Sequence, residues 1–167
     1  MLESLNSIFS AFGADIQTKI IRSEQKGDKP PYPYATFKVT EMLREKAHLA
    51  VIETKPKAGD STKCIISYKG QCDLPISLTF MHSDAHELWK IVWNACDWWD
   101  DIAENVCEPL GITATRISEP QDRTVQLETD WEYKFGFDVK LSSIVSRERE
   151  VDVIDIEYIL KTLILED

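Results

Sequence analysis

The sequence predicts an α+β fold: a mostly antiparallel sheet of about six to seven strands with two helices packed on one face. Three observations carry this. Apolar residues recur at three- and four-residue steps in two stretches, one at the N-terminus and one across the middle. Elsewhere they alternate with polar residues, the period of a half-buried strand. The links between alternating runs are short and polar, which favours antiparallel pairing, and helices with a single apolar stripe must bury it against the sheet.

In chain order, the first element is a helix over 2–23. Leu5, Ile8, Phe9, Phe12, Ile16 and Ile20 lie on one face, with a bend expected near Gly13. A polar linker, SEQKGDKPP, follows. Pro30, Pro31 and Pro33 fix φ and remove donors, so KPPYPYATFKV reads as a short polyproline-like rod leading into a strand. Such a rod serves equally as a fixed-length link or as a docking strip.

The first β segment spans 34–81. Ala35, Phe37 and Val39 alternate with Thr36 and Lys38, and a second short strand runs over 49–54. KPKAGDS, with Pro56 and Gly59 as breakers, is expected to be a mobile hairpin loop carrying Lys55 and Lys57. A third strand carries Cys64, Ile66 and Tyr68. In a fourth, Leu74, Ile76, Leu78 and Phe80 share one face, with Ser77 and Thr79 opposite.

A long helix is expected over 84–108. Asp84 is the N-cap, Glu87 completes a capping box, and Pro109 with Gly111 ends the helix. Leu88, Ile91, Val92, Ala95, Trp99, Ile102, Ala103 and Val106 form its stripe. The second β segment spans 112–163: a short strand over 112–117, a turn at SEPQDRT, then a long strand. In that strand Trp131, Tyr133, Phe135, Phe137, Val139 and Leu141 alternate with polar residues. The charged run 146–150 reads as a break before a last strand over 154–161. The whole, 1–167, reads as one domain.

Composition narrows the function. The formal net charge is −10, which opposes a sequence-reading nucleic-acid interface. Apolar runs are too short to cross a membrane. The four cysteines, Cys64, Cys72, Cys96 and Cys107, have no CxxC spacing and read as reduced thiols. His82 and His86 are four apart, but HExxH is absent and no third ligand has recognisable spacing, so neither a metal nor a cofactor is expected. Asp97, Asp100 and Asp101 lie opposite the stripe and read as a solvated face. No phosphate loop, nucleophile elbow or catalytic set appears, so no catalytic residue is assigned.

What stands out is aromatic surface. Trp89, Trp93, Trp98 and Trp99 share one helix. Trp93 projects roughly 130° from the stripe's centre at ~100° per residue. An indole there, beside Asp97, is the composition of an interface anchor, while Trp99 lies in the stripe and Trp89 and Trp98 flank the stripe. Tyr32 and Tyr34 in the proline segment, with Lys55 and Lys57, complete the candidate contact residues.

Four pieces, in this order, resemble the neck-terminator or tail-terminator-like proteins of long-tailed bacteriophages. They are KPPYPYATFKV behind an N-terminal helix; LPISLTFMHSDAHELWKIV, a strand turning through a polar corner into the long helix; LGITATRI; and LETDWEYKFGFDVKLSSIVSREREVDVIDIEYI. The corner departs from the family's usual glycine, reading MHSDA, and the stretch after Lys90 is unusually rich in tryptophan. The resemblance implies a structural virion protein made in the bacterial host's cytoplasm. It implies a ring, commonly a hexamer, that ends tail-tube polymerisation. Its partners would be the tail tube protein, the sheath where there is one, and a head-side connector or neck protein. DNA would pass through an acidic lumen without specific binding. Another head–tail connector, a minor tail protein, a non-viral oligomeric adaptor and a small metal-dependent enzyme using His82 and His86 are the alternatives.

Overall fold

A computed structural model of the chain describes residues 2–24, 27–40, 50–127 and 130–152. In chain order the elements are α1 (Leu2–Asp15), β1 (Lys19–Arg22), β2 (Tyr34–Val39), β3 (Ala50–Lys57), β4 (Asp60–His82), α2 (Ala85–Asp97), α3 (Ala103–Cys107), β5 (Ile112–Arg116), β6 (Gln121–Asp122), β7 (Val125–Leu127) and β8 (Asp130–Asp152). The strands order β1-β2-β4-β8-β5, with β3 beside β4 and with β6 and β7 beside β8. The class is the α+β class the periodicities predict, with 8 strands among the described residues, slightly above expectation. β1 runs parallel to β2; the pairs β2–β4, β3–β4, β5–β8, β6–β8 and β7–β8 are antiparallel.

The chain divides into two compact units, Met1–Lys46 with Gln71–Ile144, and Ala47–Gly70 with Val145–Asp167. In the first, register places Ala35 opposite Phe80, Phe37 opposite Leu78 and Val39 opposite Ile76. These form the sheet face that the helices cover. Phe9 of α1 stacks on Phe37 at 4.2 Å, and Phe12 meets Phe80 edge-on at 6.4 Å. Phe80 in turn stacks on Phe137 of β8. Leu88, Val92 and Ala95 of α2 join the same core, as do Phe137, Val139 and Leu141.

Several boundaries differ from the sequence reading, each for a physical reason. The first helix stops at Asp15 rather than near residue 23. Thr18 N–H bonds the Gly13 carbonyl and Gln17 N–H the Ala14 carbonyl, with Gln17 at φ 52. This is a Schellman stop, in which the left-handed residue satisfies the last carbonyls. The usual glycine is replaced by Gln17, so the stop has no compositional signal. Ile16 and Ile20 still pack against the core, Ile20 from β1.

The middle helix keeps its predicted start. The Asp84 side chain accepts from His86 N–H (2.8 Å) and Glu87 N–H (2.9 Å). The capping box is not closed by Glu87, whose carboxylate pairs with Lys90 at 2.8 Å. His82 Nδ1 instead accepts the Asp84 N–H at 2.8 Å. Trp98–Ile102 form a π turn, with Ala103 N–H bonded to the Trp98 carbonyl. The extra residue in that turn rotates the stripe: Trp98 and Trp99 are both buried, while Ile102, expected inside, is exposed.

In the second unit, β3 pairs with the first part of β4 around a two-residue turn, Ala58–Gly59, with Lys57 opposite Asp60. The loop expected over 55–61 is therefore a strand through Lys57. Gly59 at φ 81 supplies the turn that a Cβ would oppose. Pro56 sits at a register shift in the ladder, where a missing N–H is tolerated. The third and fourth strands of the sequence reading are one strand, β4. The break expected at 146–150 is likewise part of β8, because the charge there is answered across the unit: Glu150 takes Lys57 and Lys63, each at 2.7 Å. Hydrogen bonds from Lys57, then Lys63, hold the Glu150 carboxyl down at about 2. The strand expected over 154–161 lies outside the described residues, as does Leu49.

Candidate functional site

Two features of the first unit combine surface position with chemistry that the fold alone does not require. The first is the proline segment. The chain bends at Tyr32 and Pro33, so no continuous polyproline rod forms; the peptide bond between the two is cis. The segment is fastened by a carboxylate instead. Glu132 of β8 is 5% exposed. It accepts from the Tyr32 hydroxyl at 2.8 Å, from Lys134 Nζ at 2.8 Å, and from Lys29 Nζ. Lys29 also donates to the Tyr32 hydroxyl at 2.6 Å and lies over the Tyr32 ring. Tyr32 stacks on Tyr34 at 5.7 Å, and His82 lies against Tyr32 at 6.3 Å.

Burial opposes ionisation of Glu132, yet hydrogen bonds from Lys134, Lys29 and Tyr32 outweigh it and hold the carboxyl at about 2. Burial likewise disfavours charge on Lys29, but its bonds to Glu132 and Tyr32 leave its pKa above the ordinary lysine value. A carboxylate whose folded pKa lies below its unfolded one contributes stability above the unfolded value. That contribution is lost as pH falls from about 4.5 towards about 2. Lys29 is half exposed, so the effect is discounted to on the order of 2 kcal/mol. We expect Glu132→Gln to lower stability by that amount at pH 7 in chemical denaturation and to flatten the acid limb of the wild-type curve. An unchanged pH 7 midpoint would show the clamp to be energetically idle.

The second feature is a ledge of tryptophan on α2. Trp93 is 55% exposed and Trp89 37%. The two indoles stack at 6.3 Å, and Trp89 rests on Phe135 of β8 at 4.4 Å. Trp98 and Trp99 are core residues, with Trp98 Nε1 donating to Asp15 at 2.7 Å. Asp97 and Asp101 are exposed, and no ion pair involves them among the described residues. Asp100 is not free: Arg116 grips it through Nε at 2.9 Å and Nη2 at 2.8 Å. Trp131, expected on the buried face of its strand, is instead 57% exposed. It lies near the start of β8, about 13 Å along the strand from Phe135 at ~3.3 Å per residue.

The structure thus brings Tyr32 and Tyr34 together and places Trp89, Trp93 and Asp97 along one helix. Lys55 and Lys57 are in the other unit, where Lys55 pairs with Glu53 at 2.8 Å and Lys57 with Glu150. His82 is at the end of β4 and His86 in α2, and among the described residues no group of three or more His, Cys, Asp or Glu converges as for a metal. Cys96 and Cys107 are buried free thiols, and burial pushes each up to about 11. Among the described residues, no helix is long and apolar enough to cross a membrane.

Sequence reasoning missed Lys29, Glu132 and Arg123. Glu132 reads as one of the polar alternates of its strand, and nothing local indicates that a segment 103 residues away covers it. Arg123 sits in a stretch that reads as a plain turn. Its Nη1 donates to Ser77 Oγ (2.8 Å), the Leu78 carbonyl (3.2 Å) and Thr79 Oγ1 (3.0 Å), and Nη2 donates to Asp138 (3.2 Å). It pins the 118–124 connection to the sheet face away from the helices.

Against known proteins, the family model described as phage neck terminator protein matches residues 3–163. No curated protein matches the chain.

Proposed function

Because the chain belongs to the phage neck terminator protein family and so has a structural role in the phage neck, we propose that it closes the tail: a homo-oligomeric ring, most simply a hexamer, at the head-proximal end of the tail. In this reading the ring ends tube polymerisation and presents a surface to the head-side connector. The observation that carries it is the family match over 3–163, joined to a fold whose aromatic surface exceeds what its own core uses. The tail tube protein, and the sheath where there is one, lie on one side of the ring, and a connector or neck protein on the other. The subunit, acting as one domain, is made in the host cytoplasm and incorporated into the virion. The net charge of −10 suits a channel through which DNA slides without being held.

Contact residues in this reading are Trp93, Trp89 and Asp97 on the ledge, Tyr32 and Tyr34 at the clamp, and Lys55 and Lys57 in the second unit. The alternative positions in the same class, a head-side connector or a minor tail protein, differ in which neighbour each surface meets. An asymmetric reconstruction of the virion neck decides between them. We expect a closed ring of this chain stacked on the last tube layer, and tails of uncontrolled length in phage lacking the gene. A single off-axis copy, or tails of normal length without the protein, would remove the terminator role.

A further inference from the structure

The Trp89–Trp93 ledge adjoins a cleft. Asn94 and Asp97, one and four residues beyond Trp93, line an opening of about 440 Å³ at the C-terminal end of α1. Ile16, Trp98 and Ile102 line it together with three carboxylates, Asp15, Asp97 and Asp101; among the described residues no lysine or arginine lines it. The last turn of α1 contains no basic residue either, so no cation of that turn faces the helix's negative end. Seven carboxylates and one lysine lie between Asp84 and Gly111.

Among the described residues, ten Lys and Arg side chains form ion pairs with carboxylates of the same chain, among them Lys29, Lys57, Lys90, Arg116 and Arg123. A second copy would also bring a further net charge of −10 to the contact. We infer that the ledge and cleft receive a basic segment of a different virion protein, with an apolar side chain on the indoles and an arginine or lysine in the cleft. Each part of the site matches a part of such a segment. The exposed indole faces attract a cation as well as an apolar group. Ile16 and Ile102 suit the methylene stem of a long basic side chain, and the carboxylates suit its head. This rests on the reading of Trp93 as an interface residue.

The neck reconstruction tests it directly. Trp93 should be covered by a chain of another protein, with a lysine or arginine nitrogen within about 4 Å of Asp97 or Asp101. Coverage by a second copy, by a segment without a cation, or by solvent alone would overturn it. The same map counts copies, so a ring with a bare ledge sinks this inference and leaves the terminator reading standing, while a covered ledge outside a ring does the reverse. Independently, Asp97→Asn with Asp101→Asn should lower the copies of this protein per virion, measured by quantitative mass spectrometry, about thirtyfold or more, as loss of a desolvated charge pair does. The circular dichroism of the purified variant should match wild type. Undiminished incorporation would overturn the inference.

Discussion

Gly136→Ala is expected to destabilise the subunit by about 3 kcal/mol or more, the range of severe overpacking. A Cβ at this position of β8 would lie 2.2 Å from the Leu78 carbonyl oxygen and 2.7 Å from Arg123 Nη1. The first contact is with backbone of a neighbouring strand, which cannot move without disturbing the ladder. The second displaces a guanidinium that makes four hydrogen bonds to Ser77, Leu78, Thr79 and Asp138. The two contributions separate in a double-mutant cycle. Arg123→Ala alone should cost on the order of 1–2 kcal/mol. With Arg123 already removed, Gly136→Ala should cost less than in wild type, yet still a substantial amount because Leu78 remains. Urea denaturation of the four proteins reads all of this, and a Gly136→Ala midpoint equal to wild type would mean the strand can shift freely at this position.

The legible part of the fold is the part written in short-range period. Ala35, Phe37, Ile76, Leu78, Phe80, Phe137, Val139 and Leu141 alternate in sequence and are buried in the structure. Asp84 announces the start of α2 by residue type and caps it. The unread part depends on what lies far along the chain or on backbone states without a residue signature. Gln17 adopts the left-handed stop that glycine usually marks, so the end of α1 is invisible. The π turn at Trp98 inserts one residue into a 3.6-residue period, so the wheel is right about Trp93, before the turn, and wrong about Ile102, within it. The family pieces could be recognised because order and spacing survive such local irregularities. The clamp could not, because Glu132 becomes special only when Lys29 and Tyr32 arrive.

Trp93→Ala should cost on the order of 2 kcal/mol or more in association, a drop of about thirtyfold in affinity, with little loss of subunit stability. The ledge separates these quantities residue by residue. In the isolated subunit Trp93 is 55% exposed, and its one ring contact among the described residues is the stack on Trp89. Truncating it there removes about 0.5–1.5 kcal/mol of aromatic contact. Trp89 touches both Trp93 and Phe135, so Trp89→Ala should lower the melting temperature as well as the association. Trp98 is buried and bonded to Asp15, so Trp98→Ala should unfold the subunit by about 3–5 kcal/mol whatever the partner does. The three variants therefore form a graded series from interface to core. Thermal melting of the isolated subunit gives one axis and incorporation into the neck the other. If Trp93→Ala instead melts like Trp98→Ala, its indole belongs to the subunit's own core and the ledge is not a contact surface. If it melts like wild type and is incorporated like wild type, the exposed pair is not an anchor, and the clamp residues Tyr32 and Tyr34 become the stronger candidates for the contact.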